Sequence, residues 1–221
     1  SDSVITLDMA PNSVDDQFIG CKNDTNNKII NEILPEELNL DAGFNRTWKR
    51  FHMFNYSERI IKVYTSSTGS YQNLNNAVSS GRLRYIDDFK FKAYHFFLTR
   101  AIQIYQVKKC TDVFRRTKID FNVTACGQEI RFGRFASASF LYNLTHFGQI
   151  CFNITTCLGA DISTMSTLSR EKEVLIPPYE KFEITNIIKN ETVNKMNCKI
   201  IYTLKSAGNF SYMNCELANR N

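Results

Sequence analysis

Two glutamates at alternate positions stand out in the segment SREKEVLIPPYEKFEI, residues 169–184. Glu171 and Glu173 flank Lys172, and an apolar run and two prolines follow them directly. If this segment is extended, both carboxylates leave the same face of the strand, and because like charges repel, one of their pKa values should rise. A fixed carboxylate can stabilise a positive charge that develops beside it. The pair is therefore a candidate site, although the exposed edge of a strand could also carry it.

Other familiar catalytic patterns are missing from the sequence. The seven cysteines include no CxxC pair and the chain has three histidines, so a metal site is not expected. Neither a GxGxxG nor a Walker loop occurs, so a nucleotide would not bind in the Rossmann or P-loop manner. The GxSxG motif of serine hydrolases is also absent. His95 lies between core positions of a predicted helix, where a packed, hydrogen-bonded histidine is expected rather than a general base.

The chain carries a formal charge of +5 over 221 residues. A basic surface can attract a phosphate, a pyrophosphate or an acidic membrane, or it can be a solvated exterior. The basic residues form no run of five or more, so nucleic acid is not expected as a partner. No apolar stretch reaches the length of about 18 residues that a membrane-spanning helix requires.

Cysteines and glycosylation motifs indicate an oxidising compartment. Eight Asn-x-Ser/Thr motifs occur, at Asn23, Asn45, Asn55, Asn122, Asn143, Asn153, Asn190 and Asn209. Together with seven cysteines, they favour a secreted or cell-surface glycoprotein with disulfide bonds. The odd cysteine is either a free thiol or an intermolecular link. Because the chain starts at Ser1, we expect that a signal peptide has been removed, and an anchor signal could have been removed beyond Asn221.

The elements that would position these residues change in type along the chain. In the first half, NNKIINEILPEEL places apolar residues on one helical face, with Pro35 ending the turn, and residues 85–109 form the clearest helix. The second half contains the strand-like segments VFRRT, IDFNVTA, IRFGRFAS, ICFNITTC, EVLI, KFEITNII and KIIYTLKS. Helices followed by strands predict an α+β fold in one domain, with a mainly helical lobe (1–109) and a mainly β lobe (110–221).

Seven segments, in this order, resemble the vertebrate ecto-mono-ADP-ribosyltransferase family. They are LDMAPNSVDDQFIGC (7–21), FKAYHFFLTRAIQ (91–103), VFRRTK (113–118), RFGRFASAS (131–139), TCLGADI (156–162), EKEVLIPPYEKF (171–182) and GNFSYMNCEL (208–217). The resemblance implies that family's fold, in which a helical lobe packs on a β-sandwich-like lobe. It also implies that NAD lies in the cleft between the lobes.

The family's active site combines an arginine, a serine within Ser-x-Ser and a Glu-x-Glu motif. The resemblance maps these onto Arg115, Ser137, Glu171 and Glu173, and it implies cleavage of the nicotinamide–ribose bond of NAD without a metal. Glu173 would stabilise positive charge on the ribose, and Glu171 would bind the acceptor arginine. Arg115 would contact phosphate or ribose oxygens, and Ser137 would hold both the ribose and Glu173.

Further positions follow from the same resemblance. Phe147 in THFGQI resembles the aromatic residue that stacks on nicotinamide, with burial in the core as the alternative. Arg116 replaces a glycine whose backbone approaches the nicotinamide amide, so its side chain would crowd the cleft unless it points away. Ala138 replaces the central threonine of the family's Ser-Thr-Ser motif.

The resemblance also implies two disulfides, Cys21–Cys215 and Cys110–Cys157. The other three cysteines, at positions 126, 151 and 198, fall outside the family pattern. One further bridge among them is expected, without a defined pairing.

The resemblance also implies the acceptor, because in that family glutamate at the position of Glu171 goes with transfer to arginine and glutamine goes with NAD hydrolysis. We therefore predict transfer of one ADP-ribose from NAD to arginine on extracellular proteins, by a monomer that reaches the membrane only through a lipid anchor. Two alternatives stay open. One is an NAD glycohydrolase, in which water replaces the arginine, and the other is a glycosylated surface recognition protein that has lost transfer activity.

Overall fold

The computed structural model describes residues 4–68, 70–122, 125–189 and 195–219. In this part of the chain the helices are α1 (Lys22–Lys28), α2 (Leu34–Leu40), α3 (Ala42–Arg50), α4 (Tyr56–Thr65), α5 (Tyr71–Ser80), α6 (Tyr85–Asp88) and α7 (Lys92–Ile104). A π-helical turn, Ile29–Ile33, joins α1 to α2. One apolar core unites the helices, and α7 is the element buried most completely within it.

The strands follow the helices, apart from the short first one. They are β1 (Ile5–Thr6), β2 (Thr111–Thr117), β3 (Phe121–Asn122), β4 (Glu129–Arg131), β5 (Ala136–Ser139), β6 (Ile150–Thr156), β7 (Ala160–Asp161), β8 (Glu173–Ile176), β9 (Glu180–Lys189) and β10 (Ile200–Asn209). β1 and β3 form a parallel pair, and the others form one sheet in the order β4-β9-β10-β6-β2-β5-β8-β7. Within this sheet only β6 and β10 are parallel neighbours.

The large sheet curls over itself. Ile130 and Phe182 come from one end of the strand order, and Ala138 and Val174 come from near the other end, yet all four belong to one buried apolar cluster. Because residues so far apart in the sheet share a core, the two ends enclose it much as the layers of a sandwich do. The predicted α+β class, with helices before strands, is confirmed.

Two features of the helical part differ from the prediction. Pro35 does not end a helix but lies in the first turn of α2, directly after the π-helical turn. The predicted long helix 85–109 is broken, because Phe89 is extended and buried between α6 and α7. α7 then begins at Lys92, where the carboxylate of Glu37 on α2 accepts the amides of Ala93 and Tyr94 at 2.9 and 3.0 Å.

One strand-like segment is also divided. IRFGRFAS contributes both β4 and β5, which are separated by four other strands in the sheet. Gly133 stands between them with φ 68°, and a Cβ at this position would lie 2.4 Å from that of Ala10. The chain must therefore leave one part of the sheet and re-enter another at a point where only glycine fits.

A buried ion pair joins β4 to residues near both ends of the chain. Arg131 donates to the carboxylate of Asp15 at 2.6 Å, and neither side chain is exposed. Arg131 also donates to the carbonyls of Ala10 and Phe210, while Asp15 accepts the amide of Tyr212. The pair is thus fully hydrogen-bonded, which is the condition under which a buried pair is tolerated.

Three disulfides are present. Cys21–Cys215 and Cys110–Cys157 are the pairs that the resemblance implies, and the third joins Cys151 to Cys198. Cys126 is exposed and unpaired. The first bridge closes a loop with a sequence separation of 194 residues, which in the chain-entropy model contributes roughly 5 kcal/mol.

Glu37 gives the stability of the fold a distinctive pH dependence. Burial raises the pKa of this carboxyl from 4.5 to about 7, although the two amides of α7 act in the opposite direction. The folded protein therefore binds this proton more tightly than the unfolded chain does. The stabilisation from protonated Glu37 is complete below pH 4.5 and is lost as the pH rises to about 7.

We expect Glu37→Gln to remove this part of the pH dependence. The free energy of unfolding, from urea titrations with intact disulfides, should fall less between pH 4.5 and 7 than in the parent, by up to roughly 3 kcal/mol. The exposed neighbour Glu36 offers the control, because Glu36→Gln should leave the pH dependence as it is. Identical pH profiles for the parent and Glu37→Gln would contradict the assignment.

Candidate active site

A cleft of about 370 Å³ lies between α4, α5 and the sheet. The six residues that the sequence predicts for NAD binding and catalysis line it: Arg115, Arg116, Ser137, Phe147, Glu171 and Glu173. They come from β2, β5, β8 and the turns that precede β6 and β8. The fold therefore brings together residues that are distant in the sequence, since Arg115 and Glu173 are 58 positions apart.

Glu173 occupies a buried position at the start of β8. It lies opposite Ser139 of β5 in the sheet, and only 7% of the residue is exposed. Burial raises the pKa of this carboxyl, and the charge of Glu171 raises it further, while the Ser137 hydroxyl and the Arg115 guanidinium lower it. The predicted rise in pKa thus occurs at Glu173, but its largest cause is burial rather than repulsion between the two glutamates.

Glu171 enters the cleft from a turn and Glu173 from the first position of β8, so the two do not share one extended strand. Ser169–Glu171 form a 3-10 turn, and Lys172 has a left-handed backbone with φ 47° before β8 begins. The condition that the whole segment is extended is therefore not met, because a left-handed residue redirects the chain between the two side chains. The hydroxyl of Ser139 donates to the carbonyl of Glu171, and the amide of Phe140 donates to that of Lys172 at 3.1 Å.

Arg115 lies on β2, beside the strand that carries Ser137. One of its guanidinium nitrogens donates to the carbonyl of Ser137 at 2.8 Å, and its guanidinium lies 5.7 Å from the ring centre of Phe132. Among the described residues Arg115 forms no ion pair within 4.0 Å with a carboxylate. Its other N–H groups therefore remain available to a ligand with phosphate or ribose oxygens.

The side chain of Arg116 points away from the cleft. Its guanidinium donates to the carbonyls of Tyr142 and Met196 and contacts the sulfurs of Cys151 and Cys198. Successive residues of a strand face opposite sides of the sheet. Because Arg115 faces the cleft, the side chain of Arg116 points to the other side. The side chain of Arg116, at the position of the family's glycine, therefore does not fill the cleft. Only its backbone atoms are placed to contact a ligand.

Phe147 ends a 3-10 turn, Thr145–Phe147, on the wall of the cleft. It is 42% exposed, and its ring centre lies 4.1 Å from that of His146. The alternative of a core residue is therefore wrong. An exposed aromatic ring on a cleft wall is available to stack on a planar ligand.

Sequence analysis did not select two further lining residues, Tyr64 and Asn75. The Asn75 amide donates to the Tyr64 hydroxyl at 3.0 Å, and the carbonyl oxygen of the same amide accepts from the backbone of Phe135 at 3.0 Å. Burial raises the pKa of Tyr64 to about 12, so the phenol stays protonated. Both residues lie on helices with an apolar periodicity, so the sequence alone indicates ordinary core positions for them.

The remaining candidates lie outside the cleft. His95 is fully buried, its Nε2 lies 3.2 Å from the Val14 carbonyl, and burial lowers its pKa to about 4, so the packed histidine is confirmed. Asn190 lies outside the described residues. The sequon asparagines that are exposed are Asn23, Asn55, Asn122, Asn143 and Asn209, whereas Asn45 and Asn153 are half-buried. Among the described residues no group of three or more His, Cys, Asp or Glu could hold a metal ion.

The fold can be compared with solved structures. The structure superimposes on the eukaryotic mono-ADP-ribosyltransferase ART2.2, in a mutant form bound to NAD, with a TM-score of 0.79, 29% identity and coverage of 96% of this chain and 99% of that one. Another crystal structure of ART2.2 superimposes with the same TM-score of 0.79 and the same coverage of both chains, at 30% identity. The fold is therefore that of a mono-ADP-ribosyltransferase.

The sequence comparisons identify the family. The model of the NAD:arginine ADP-ribosyltransferase family matches residues 7–206. T-cell ecto-ADP-ribosyltransferase 2 of Mus musculus is 34% identical over 198 residues, which are 80% of this chain and 66% of the relative. The erythroblast NAD(P)(+)–arginine ADP-ribosyltransferase of Gallus gallus is 33% identical over 233 residues, 96% of this chain and 76% of the relative. The chain belongs to the NAD:arginine ADP-ribosyltransferase family, which confirms the predicted family and enzyme class, with NAD as substrate.

The hydroxyl of Ser139 should control the mobility of the turn that carries Glu171. It donates to the Glu171 carbonyl and accepts the amide of Leu141 at 2.9 Å. Loss of a hydrogen bond worth about 1 kcal/mol speeds local amide exchange roughly fivefold. We expect Ser139→Ala to produce this increase at Leu141 and in the 168–172 turn, measured by hydrogen–deuterium exchange. The exposed Ser79→Ala is the control, and unchanged protection of the turn in Ser139→Ala would exclude this role.

Proposed function

We propose that this cleft transfers one ADP-ribose from NAD to an arginine side chain of an extracellular or cell-surface protein, with release of nicotinamide. The observation that carries the proposal is the buried carboxylate of Glu173, which shares the cleft with Ser137 and Arg115. Residue roles follow from what each group can do at its position. No step requires a metal.

The first step breaks the bond between the ribose C1′ and the nicotinamide nitrogen. Nicotinamide leaves as a neutral molecule with the electron pair of that bond, and positive charge develops on the ribose, as in glycoside hydrolysis. The carboxylate of Glu173 stabilises this charge more strongly than it stabilises the intact substrate, which is the requirement for catalysis. Ser137 and Arg115 lower the pKa of Glu173 and so favour the ionised form that this role needs.

The second step adds the acceptor. A guanidine nitrogen of the acceptor arginine forms the new bond to C1′, and the guanidinium loses one proton. Glu171 lies beside Glu173 on the turn, is only half-buried, and can therefore meet a side chain that enters from solvent. Its carboxylate would pair with the guanidinium and receive the proton.

The other lining residues would hold NAD in place. The free N–H groups of Arg115 suit phosphate or ribose oxygens, and the Ser137 hydroxyl would bond to the ribose as well as to Glu173. Phe147 would stack on the nicotinamide ring. Arg116 would contribute only backbone atoms, since its guanidinium is bonded on the opposite face of β2.

The site of action would be the cell surface or the extracellular space. Relatives of this chain are named ecto-ADP-ribosyltransferases, and three disulfides suit an oxidising compartment. Within the described residues, no helix is both long and apolar enough to cross a bilayer. We also propose that the protein is a monomer, that its sequons are glycosylated and that a glycolipid anchor attaches it to the membrane.

Incubation with etheno-NAD and agmatine tests the proposed reaction. Agmatine carries a guanidinium but no protein context, so it reports on the chemistry alone. An etheno-ADP-ribosyl–agmatine adduct is the expected product. Free etheno-ADP-ribose without adduct would indicate an NAD glycohydrolase, and neither product would indicate a recognition protein.

Glu173→Gln should lower both transfer and NAD cleavage by roughly 10²–10³, the usual loss when one preorganised electrostatic group is removed. Because burial raises the pKa of Glu173, the neutral side chain should not destabilise the fold at neutral pH. A thermal melt therefore separates a catalytic loss from unfolding. Exposed Glu183→Gln is the matched control, and parent-like turnover in Glu173→Gln would refute the assignment.

Glu171→Gln should separate the two reactions. Transfer to agmatine should be lost because the acceptor guanidinium no longer meets a carboxylate, while part of the NAD cleavage survives because Glu173 is still present. Parallel assays of the adduct and of free ADP-ribose, with Glu183→Gln as control, measure the ratio. Equal loss of both products would show that the roles of the two glutamates are not divided in this way.

A further inference from the structure

Arg134 is a cation in the cleft to which the steps above give no role. It lies in the connection between β4 and β5, directly after Gly133, whose close approach to Ala10 fixes the chain. The next residue, Phe135, is buried, and its amide donates to Asn75 on α5 at 3.0 Å. The backbone on both sides of Arg134 is therefore held, and the residue lies on a rigid part of the cleft wall.

The guanidinium of Arg134 is held at one end and unsatisfied at the other. One terminal nitrogen donates to the side chain of Asn76 at 3.0 Å, and this is its only hydrogen bond among the described residues. Its Nε is buried and has no hydrogen-bond partner in the described chain. A buried N–H without an acceptor costs free energy, roughly 1–3 kcal/mol. A ligand oxygen would remove that cost.

Four charged side chains of the cleft influence one another. Glu171 interacts with Glu173, Glu173 interacts with Arg115, and Arg115 is repelled by Arg134. Neither arginine forms an ion pair within 4.0 Å with a carboxylate of the described chain. The cleft thus holds two carboxylates and two guanidinium groups that are not paired with each other within 4.0 Å. NAD offers a partner to each kind of charge, since its ribose becomes cationic during the reaction and its pyrophosphate carries two negative charges.

We propose that Arg134 and Arg115 form a two-cation clamp on the pyrophosphate of NAD. The inference rests on the proposed use of this cleft for NAD, and it adds a binding residue. A guanidinium pairs with phosphate oxygens through two parallel N–H groups, so each arginine can hold one phosphate. Repulsion between the two cations is relieved when the anion lies between them. Asn76 acts as the positioning residue that aims the Arg134 fork.

The test is the affinity of the parent and variants for ADP and for adenosine, measured by calorimetry without turnover. ADP carries the pyrophosphate, and adenosine lacks it. Arg134→Gln should weaken ADP and NAD binding by roughly tenfold or more, as expected for loss of a hydrogen bond to a charged group. Adenosine affinity should not change. Arg134→Lys should retain part of the ADP affinity, because it keeps the charge and loses the fork.

A matched control removes the same charge elsewhere. Arg84 pairs with Asp88 on the surface, with 65% of its side chain exposed, so Arg84→Gln should leave ADP affinity at the parental value. Asn76→Ala should weaken ADP binding less than Arg134→Gln does. The dependence of ADP affinity on salt should be shallower in Arg134→Gln than in the control, since fewer charges meet the ligand.

Several outcomes would overturn the clamp. Unchanged ADP affinity in Arg134→Gln would do so, as would equal loss for ADP and adenosine, which would report a distorted cleft. Weaker binding of NADP with unchanged NAD binding would assign Arg134 to a 2′-phosphate instead. A parent that binds ADP through Arg134 but does not cleave NAD would sink the proposed function and leave the clamp standing. A parent that cleaves NAD while Arg134→Gln binds ADP normally would sink the clamp alone.

Discussion

The buried ion pair between Arg131 and Asp15 is the interaction on which the positions of the other elements depend. It joins three parts of the chain that are remote in sequence, because Arg131 also bonds the carbonyls of Ala10 and Phe210, and Asp15 also bonds the amide of Tyr212. Removing either partner would leave a charge without compensation in the interior, which is far more costly than never having buried the pair. Because the segment that leads into β5 starts at this fixed point, one wall of the cleft is built outward from it.

The chemistry of the cleft depends on unequal burial of two neighbouring carboxylates. Glu173 is almost completely enclosed and Glu171 only half so, although one residue separates them. The left-handed backbone of Lys172 makes this difference possible, since a continuous strand would give both side chains similar surroundings. The inner group is then suited to a charge that appears only during reaction, and the outer group to a partner that arrives from solvent. A short turn therefore divides the work between two identical side chains.

The sequence predicted the order of the elements well, because apolar periodicity and β-branched runs are local signals. It missed features that depend on contacts between distant residues. The break before α7 is invisible locally, since the carboxylate that caps this helix comes from Glu37 on another element. The division of IRFGRFAS depends on the approach of Ala10 to Gly133. The spacing of Glu171 and Glu173 was visible in the sequence, and Arg115 and Ser137 were found through a resemblance, whereas Arg134 and Tyr64 carry no motif and become visible only when the cleft is formed.

The bond between Cys21 and Cys215 has a mechanical consequence. It links positions near the two ends of the chain covalently and encloses a span of 194 residues. Force applied to both termini would pass along this bond and bypass the sheet and helices inside the loop. A protein tethered at one end and pulled at the other would therefore carry the load through the residues before Cys21 and after Cys215, while the helices and the strands β2–β10 between the two cysteines stay out of the load path for as long as the sulfur–sulfur link is not reduced.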